Sequence, residues 1–150
     1  MSLIDNLNED LKNAIKERNE IKVNTIRQIK THITNTEIKK GKILSDEEIT
    51  EVIFFIAKCH QESIESFKAG NRPDLVEKEE KELLILKKYL PEQLSEEDLK
   101  NIIYETIKET GANSIKDTGK VMGKLMPKIK GRADGAKVKT LVNHMLENKN

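Results

Sequence analysis

The sequence predicts an all-α protein, with an N-terminal antiparallel helical domain followed by a small three-helix bundle. Two observations predict the class. Apolar residues recur at three- and four-residue spacing through nearly every segment, and no segment alternates convincingly with period two. A third observation divides the chain. The stretch LPEQLSEED interrupts the pattern and places the boundary between domains spanning 1–92 and 93–150.

Leu3, Leu7, Leu11 and Ile15 form the first apolar stripe, and Ile26, Ile29 and Ile33 form the second. In SDEE, Ser45 and Glu48 have the spacing of a capping box, which opens a third helix. That helix carries Ile49, Val52, Ile53, Ile56, Ile64 and Phe67 and is predicted to stop near Gly70. Pro73 and Asp74 open a fourth, with Leu83, Leu84, Leu86 and Tyr89. The tract EKEEKE around Lys78 reads as a solvated helix face with spaced opposite charges. At the seam, Pro91 disfavours helix at Leu90, and Ser95 is an N-cap with Asp98 three residues on. Three shorter helical patterns follow, Leu99–Ile107, Ile115–Met126 and Val138–Leu146.

Composition narrows the function classes. The 150 residues suffice for one ordinary domain or two small helical ones. Aromatics are 3% and Trp is absent, which argues against stacking of bases on exposed rings. The net charge of +1 conceals a split, since Gly111–Thr140 holds eight Lys/Arg against two acids and the remainder holds 19 against 24. Such asymmetry points to a local anionic partner. The lone Cys59 excludes an intramolecular disulfide and fits a reducing compartment. The N-terminal MSLIDNLNEDLK has no apolar run of the signal-peptide kind, and no stretch reaches the ~18 apolar residues of a membrane span. The expectation is a soluble, cytoplasmic protein without membrane partners.

The basic segment contains KDTGKVMGKLMPKIKGRADG, residues 116–135. It fails as a Walker phosphate loop: Gly119 to Gly123 spans one residue too few, and Leu125 stands where a hydroxyl residue is required. Projected on a helix, Lys116, Lys120 and Lys124 share a ridge, and Val121, Met122, Leu125 and Met126 lie opposite. Gly119 and Gly123 lie between, each costing about 1 kcal/mol of helix propensity. Close approach of a neighbouring helix or of a ligand's phosphates would offset that cost. Pro127 is expected to end the helix, leaving KIKGRADG as a loop with Lys128, Lys130 and Arg132 together. Gly131 and Gly135 permit unusual backbone angles there, and Asp134 is the expected N-cap of a last helix that carries Lys137 in its first turn. These seven cations are the candidate nucleic-acid-binding residues, with Gly119, Gly123, Gly131 and Gly135 as structural glycines.

Catalytic groupings are poor. His32, His60 and His144 are far apart in sequence, and no His/Cys spacing suits a metal. Cys59 and His60 are adjacent, which on a helix sends them in different directions. The expected arrangement is a buried thiol beside a surface imidazole. No catalytic residue, metal or cofactor is expected.

Taken together, LPEQLSEEDL, KDTGKVMGKLMPKIKGRADG and VKTLVNHML resemble the YqeY family over essentially the whole chain. The part from about Glu96 to Leu146 is similar to the tail domain of the B subunit of the bacterial tRNA-dependent amidotransferase, GatB. The order G-A-x-S, K-D-x-G-K-V-M-G and M-P-K-x-K-G-R-A-D-G is long and unusual. Thr118 departs from it, standing where the family often has Met. The resemblance implies a two-domain all-α protein whose tail serves tRNA recognition while catalysis resides elsewhere. It therefore implies tRNA as a partner, and an amidotransferase or aminoacyl-tRNA synthetase as a protein partner. The family's label of carbon–nitrogen ligation with glutamine as amide donor belongs to the full enzyme, whose catalytic parts this chain lacks.

Overall fold

The computed structural model describes residues 2–148 and is all-α, as expected, with no strand among the described residues. The chain forms two compact units, Met1–Leu90 and Pro91–Asn150.

The first unit contains α1 (Leu3–Lys16), α2 (Glu20–Lys40), α3 (Asp46–Ala69) and α4 (Pro73–Lys87). Ser2 caps α1 by accepting from the Asp5 N–H at 3.3 Å. The expected α1 stripe holds for Leu3, Leu7 and Leu11 but not for Ile15, which is half exposed, while Ala14 is buried. The cause is rotational. A strict four-residue step drifts by ~40° each time, so the third step turns Ile15 out and brings Ala14 in. Ile26, Ile29 and Ile33 of α2 are buried as expected, and Gly41 ends the helix in the left-handed region at φ 67°. Only glycine adopts that conformation without strain.

The capping box of α3 forms in full. Ser45 Oγ accepts from the Glu48 N–H, and the Glu48 carboxylate accepts from the Ser45 N–H. The same carboxylate takes Lys40 at 2.9 Å and Lys42 at 3.2 Å. Lys40 first, then the Ser45 N–H and Lys42, hold Glu48 down at about 2, against the ordinary 4.5. A depressed carboxyl stabilises the fold above its unfolded value and loses that contribution as it protonates. The start of α3 is therefore expected to loosen as pH falls from 4.5 toward 2. An NMR titration of the Glu48 carboxyl should find its midpoint well below 4.5; an ordinary midpoint would show that the pairs do not form.

α3 stops before Gly70, and Pro73 opens α4 at its first turn, both as expected. Leu83 and Leu86 enter the core, whereas Leu84 is exposed because its neighbours already occupy the buried face. Tyr89 lies beyond the end of α4 and donates its hydroxyl to Asp10 at 2.5 Å. Burial, and then the Asp10 carboxylate, raise the Tyr89 phenol above its usual range.

The second unit contains α5 (Glu96–Thr110), a 3₁₀ turn at Ile115–Asp117, α6 (Thr118–Ile129) and α7 (Gly135–Asn148). Ser95 caps α5 through the Asp98 N–H, as expected, and Gly111 closes it at φ 70°. The core is wholly aliphatic: Leu99, Ile103 and Ile107 meet Val121, Leu125 and Ile129 of α6 and Val138, Val142 and Leu146 of α7.

The expected stop at Pro127 does not occur. α6 continues for two residues past it to Ile129. Pro127 removes one backbone bond near the helix end, while Ile129 is fully buried and Lys128 is bonded into α5. Burial outweighs the local rule. The pattern expected from Ile115 is also split, since Lys116 sits on the 3₁₀ turn and the α-helix starts at Thr118.

Candidate nucleic-acid interface

The structure divides the seven candidate cations into two kinds. Lys116, Lys120, Lys124 and Lys137 are exposed and have no hydrogen-bond or ion-pair partner among the described residues. Lys120 and Lys124 stand one helical turn apart on α6, ~6 Å between Cβ atoms by helix geometry. Lys128 is committed elsewhere: its Nζ donates to Thr106 Oγ1 at 3.1 Å and pairs with Glu109 at 3.3 Å. It therefore belongs to the α5–α6 contact and not to a basic loop.

Arg132 is likewise drawn into the fold. Its Nε donates to the Glu92 carbonyl at 3.0 Å, and its own carbonyl accepts from the Leu94 N–H at 3.0 Å. Gln93 Nε2 adds a bond to the Gly131 carbonyl at 2.7 Å. These contacts tie the segment before α5 to the turn after α6. Arg132 lines a cavity of about 340 Å³ whose other charged residues are Glu92, Asp98 and Glu105. An acidic lining disfavours phosphate at Arg132, and the bonds it makes give this candidate nucleic-acid-binding residue a structural role. Lys130 is exposed at the C-terminus of α6, and its backbone N–H bonds the Met126 carbonyl. The candidate cations thus do not gather in a loop; α6 and the turn before it carry Lys116, Lys120 and Lys124, while the exposed Lys137 stands on α7.

The glycines sort in the same way. Gly131 is buried in the turn with φ 74°, where a side chain would be strained. Gly135 does not have a positive φ, because it already belongs to the first turn of α7. Asp134 caps that helix as expected, accepting from the Ala136 N–H at 3.1 Å, so part of the helix N-terminus is already satisfied. Gly119 and Gly123 decide the question left open by the sequence. Both are exposed, and a Cβ added at either meets nothing within 4 Å. No neighbouring helix needs them small.

Three features were misread or missed in the sequence. Thr118, the departure from the family pattern, bonds Asn143 Oδ1 at 2.7 Å and so fastens the start of α6 to α7. Tyr104 is an exposed ring with Lys108 Nζ 4.7 Å from its centre, an aromatic surface that low aromatic content had discounted. The pair Cys59–His60 is the reverse of the expectation: Cys59 is exposed and His60 is buried.

The molecule is thus an all-helical protein of two units whose C-terminal three-helix unit presents a lysine-and-glycine helix face. The family model described as Yqey-like protein matches residues 4–146, and the chain belongs to that family. It is 36% identical to altered inheritance of mitochondria protein 41, mitochondrial, of Pyrenophora tritici-repentis, over 85% of this chain and 71% of that protein. The proteins of the same name in Lachancea thermotolerans and Candida glabrata are 38% and 35% identical. Those matches cover 57% and 72% of this chain, and 46% and 62% of the respective relatives. The cytoplasmic expectation is corrected by these relatives, whose names place them in mitochondria. No helix among the described residues is long and apolar enough to cross a membrane.

Proposed function

We propose that this protein binds folded RNA, tRNA foremost, by seating the phosphate backbone on the exposed face of α6. The observation that carries the reading is the pair of open glycines beside lysines that have no partner among the described residues. Gly123, inside the helix, costs about 1 kcal/mol of stability relative to alanine, Gly119 in the first turn costs less, and no packing contact offsets either. A bare helix surface lets a phosphodiester chain approach the backbone closely, while Lys116, Lys120 and Lys124 neutralise its charge. Folded RNA is read largely by shape and phosphate contacts, which suits this surface. The choice of tRNA rests on the similarity of the segment from Glu96 to Leu146 to the amidotransferase tail.

The test exploits opposite signs. Gly119→Ala with Gly123→Ala is expected to stabilise the second unit by roughly 1–2 kcal/mol in urea denaturation, because alanine fits the open face. The same variant is expected to bind unfractionated tRNA at least ~5-fold more weakly in a filter or anisotropy assay, since two methyl groups hold phosphates away. Higher stability with unchanged affinity would show that the open glycines have no part in binding.

A further inference from the structure

The first unit contains a polar cluster that RNA binding does not use. His60 falls on the apolar stripe of α3, in register with Ile49, Ile53, Ile56 and Ile64, and is 7% exposed. Glu79 and Glu82 project toward it from α4, with side chains 19% and 14% exposed. They are three residues apart and so share a helix face, which corrects the expectation that EKEEKE is solvated throughout. His60 Nδ1 contacts Glu79 Oε2 and stands 3.6 Å from Glu82 Oε2. One ligating atom from each of the three lies within 4.8 Å of the others.

The opposite ring nitrogen fixes the chemistry. His60 Nε2 faces Gln28 Oε1 of α2 at 3.3 Å. In the tautomer whose Nε2 donates to that amide oxygen, the lone pair of a neutral imidazole lies on Nδ1. That lone pair and two carboxylates then converge on one gap, sheltered from water and without a lysine or arginine partner for either glutamate among the described residues. Three acceptors meeting in a largely buried space require a positive occupant. We propose that the gap is a binding site for one divalent transition-metal ion, with His60 Nδ1, Glu79 and Glu82 as ligands and Gln28 orienting the imidazole. A dication balances both carboxylates, whereas a proton on Nδ1 balances only one. An imidazole with two carboxylates suits zinc, manganese or iron(II), and the nitrogen ligand disfavours magnesium and calcium. An amide oxygen on the distal imidazole N–H is the usual kind of outer partner for a metal-bound histidine. The ion would clamp α3 to α4 and leave a coordination position for water.

The test uses the full chain, stripped with chelator and titrated with zinc or manganese chloride by calorimetry. Binding of one ion per chain with a rise in melting temperature is expected. Glu82→Gln keeps the size of the side chain and leaves the His60–Glu79 contact in place. It should weaken metal affinity at least ~10-fold while leaving the melting temperature of the metal-free protein undiminished. Absence of stoichiometric binding, or wild-type affinity in Glu82→Gln, overturns the proposal. So does a ¹⁵N spectrum in which both His60 nitrogens remain protonated at saturating metal, because the gap then holds a proton.

Discussion

Replacing Lys116, Lys120 and Lys124 together by glutamate is expected to weaken binding of folded tRNA by about 100-fold or more at ~0.15 M salt. The magnitude follows from counterion release. At that salt each phosphate contact contributes roughly fivefold through the ion it frees, and three contacts multiply. Reversal of charge adds repulsion on top of the lost attraction. The slope of log affinity against log salt should flatten by about 2 to 3, the three lost contacts at ~0.7–0.9 each. Folding should not change, because all three side chains are exposed and none has a partner among the described residues. Lys128 and Arg132 would be poor choices for the same experiment. Their substitution breaks the bonds to Thr106 and Glu92, so weaker binding would report on structure as much as on contact. Circular dichroism matching the wild type, together with unchanged tRNA affinity and slope, would remove α6 as the RNA-binding face.

What could be read from the sequence was local. Ser45 with Glu48, Ser95 with Asp98, and Pro73 at a helix start depend on residues within one turn, and each forms as expected. Apolar spacing gave most of both cores for the same reason. Errors arose where a local rule competed with a distant contact. Pro127 is a breaker by its own chemistry, yet the burial of Ile129 carries the helix past it. The Lys128 ammonium looks like part of a basic loop until Glu109, nineteen residues earlier, is placed beside it. His60 was recoverable, since the spacing 49, 53, 56, 60, 64 places it on the buried stripe. Glu79 similarly falls between Val76 and Leu83 on the inner side of α4. That these two polar interruptions face each other follows from the packing of α3 on α4, which no periodicity in either helix reveals. The candidate site was half legible. Lysine spacing on α6 was visible, but whether Gly119 and Gly123 met a helix or open solvent required the fold.

Leu125→Ala is expected to destabilise the second unit by about 2–5 kcal/mol. Leu125 is fully buried on α6, one turn from Val121 and Ile129, and packs in the cluster shared with α5 and α7. Removing three carbons there loses their transfer energy and leaves a cavity that stiff, β-branched neighbours such as Ile103, Val138 and Val142 fill poorly. The core they form is small and lacks any aromatic ring. A unit of this size rarely has more than about 3–5 kcal/mol to lose. The substitution should therefore bring the unit close to its unfolding midpoint at ambient temperature. Hydrogen exchange of the Ile103, Val121 and Val142 amides should accelerate by at least ~30-fold, the equivalent of 2 kcal/mol in an opening equilibrium. Met126→Ala is the matched control. It removes the same number of heavy atoms from the next position on the same helix, but Met126 is 41% exposed, so the loss should stay well below that of Leu125→Ala. Equal destabilisation by the two substitutions would mean that α6 does not present Leu125 to the core, and with it that the lysines and glycines do not share the opposite, open face.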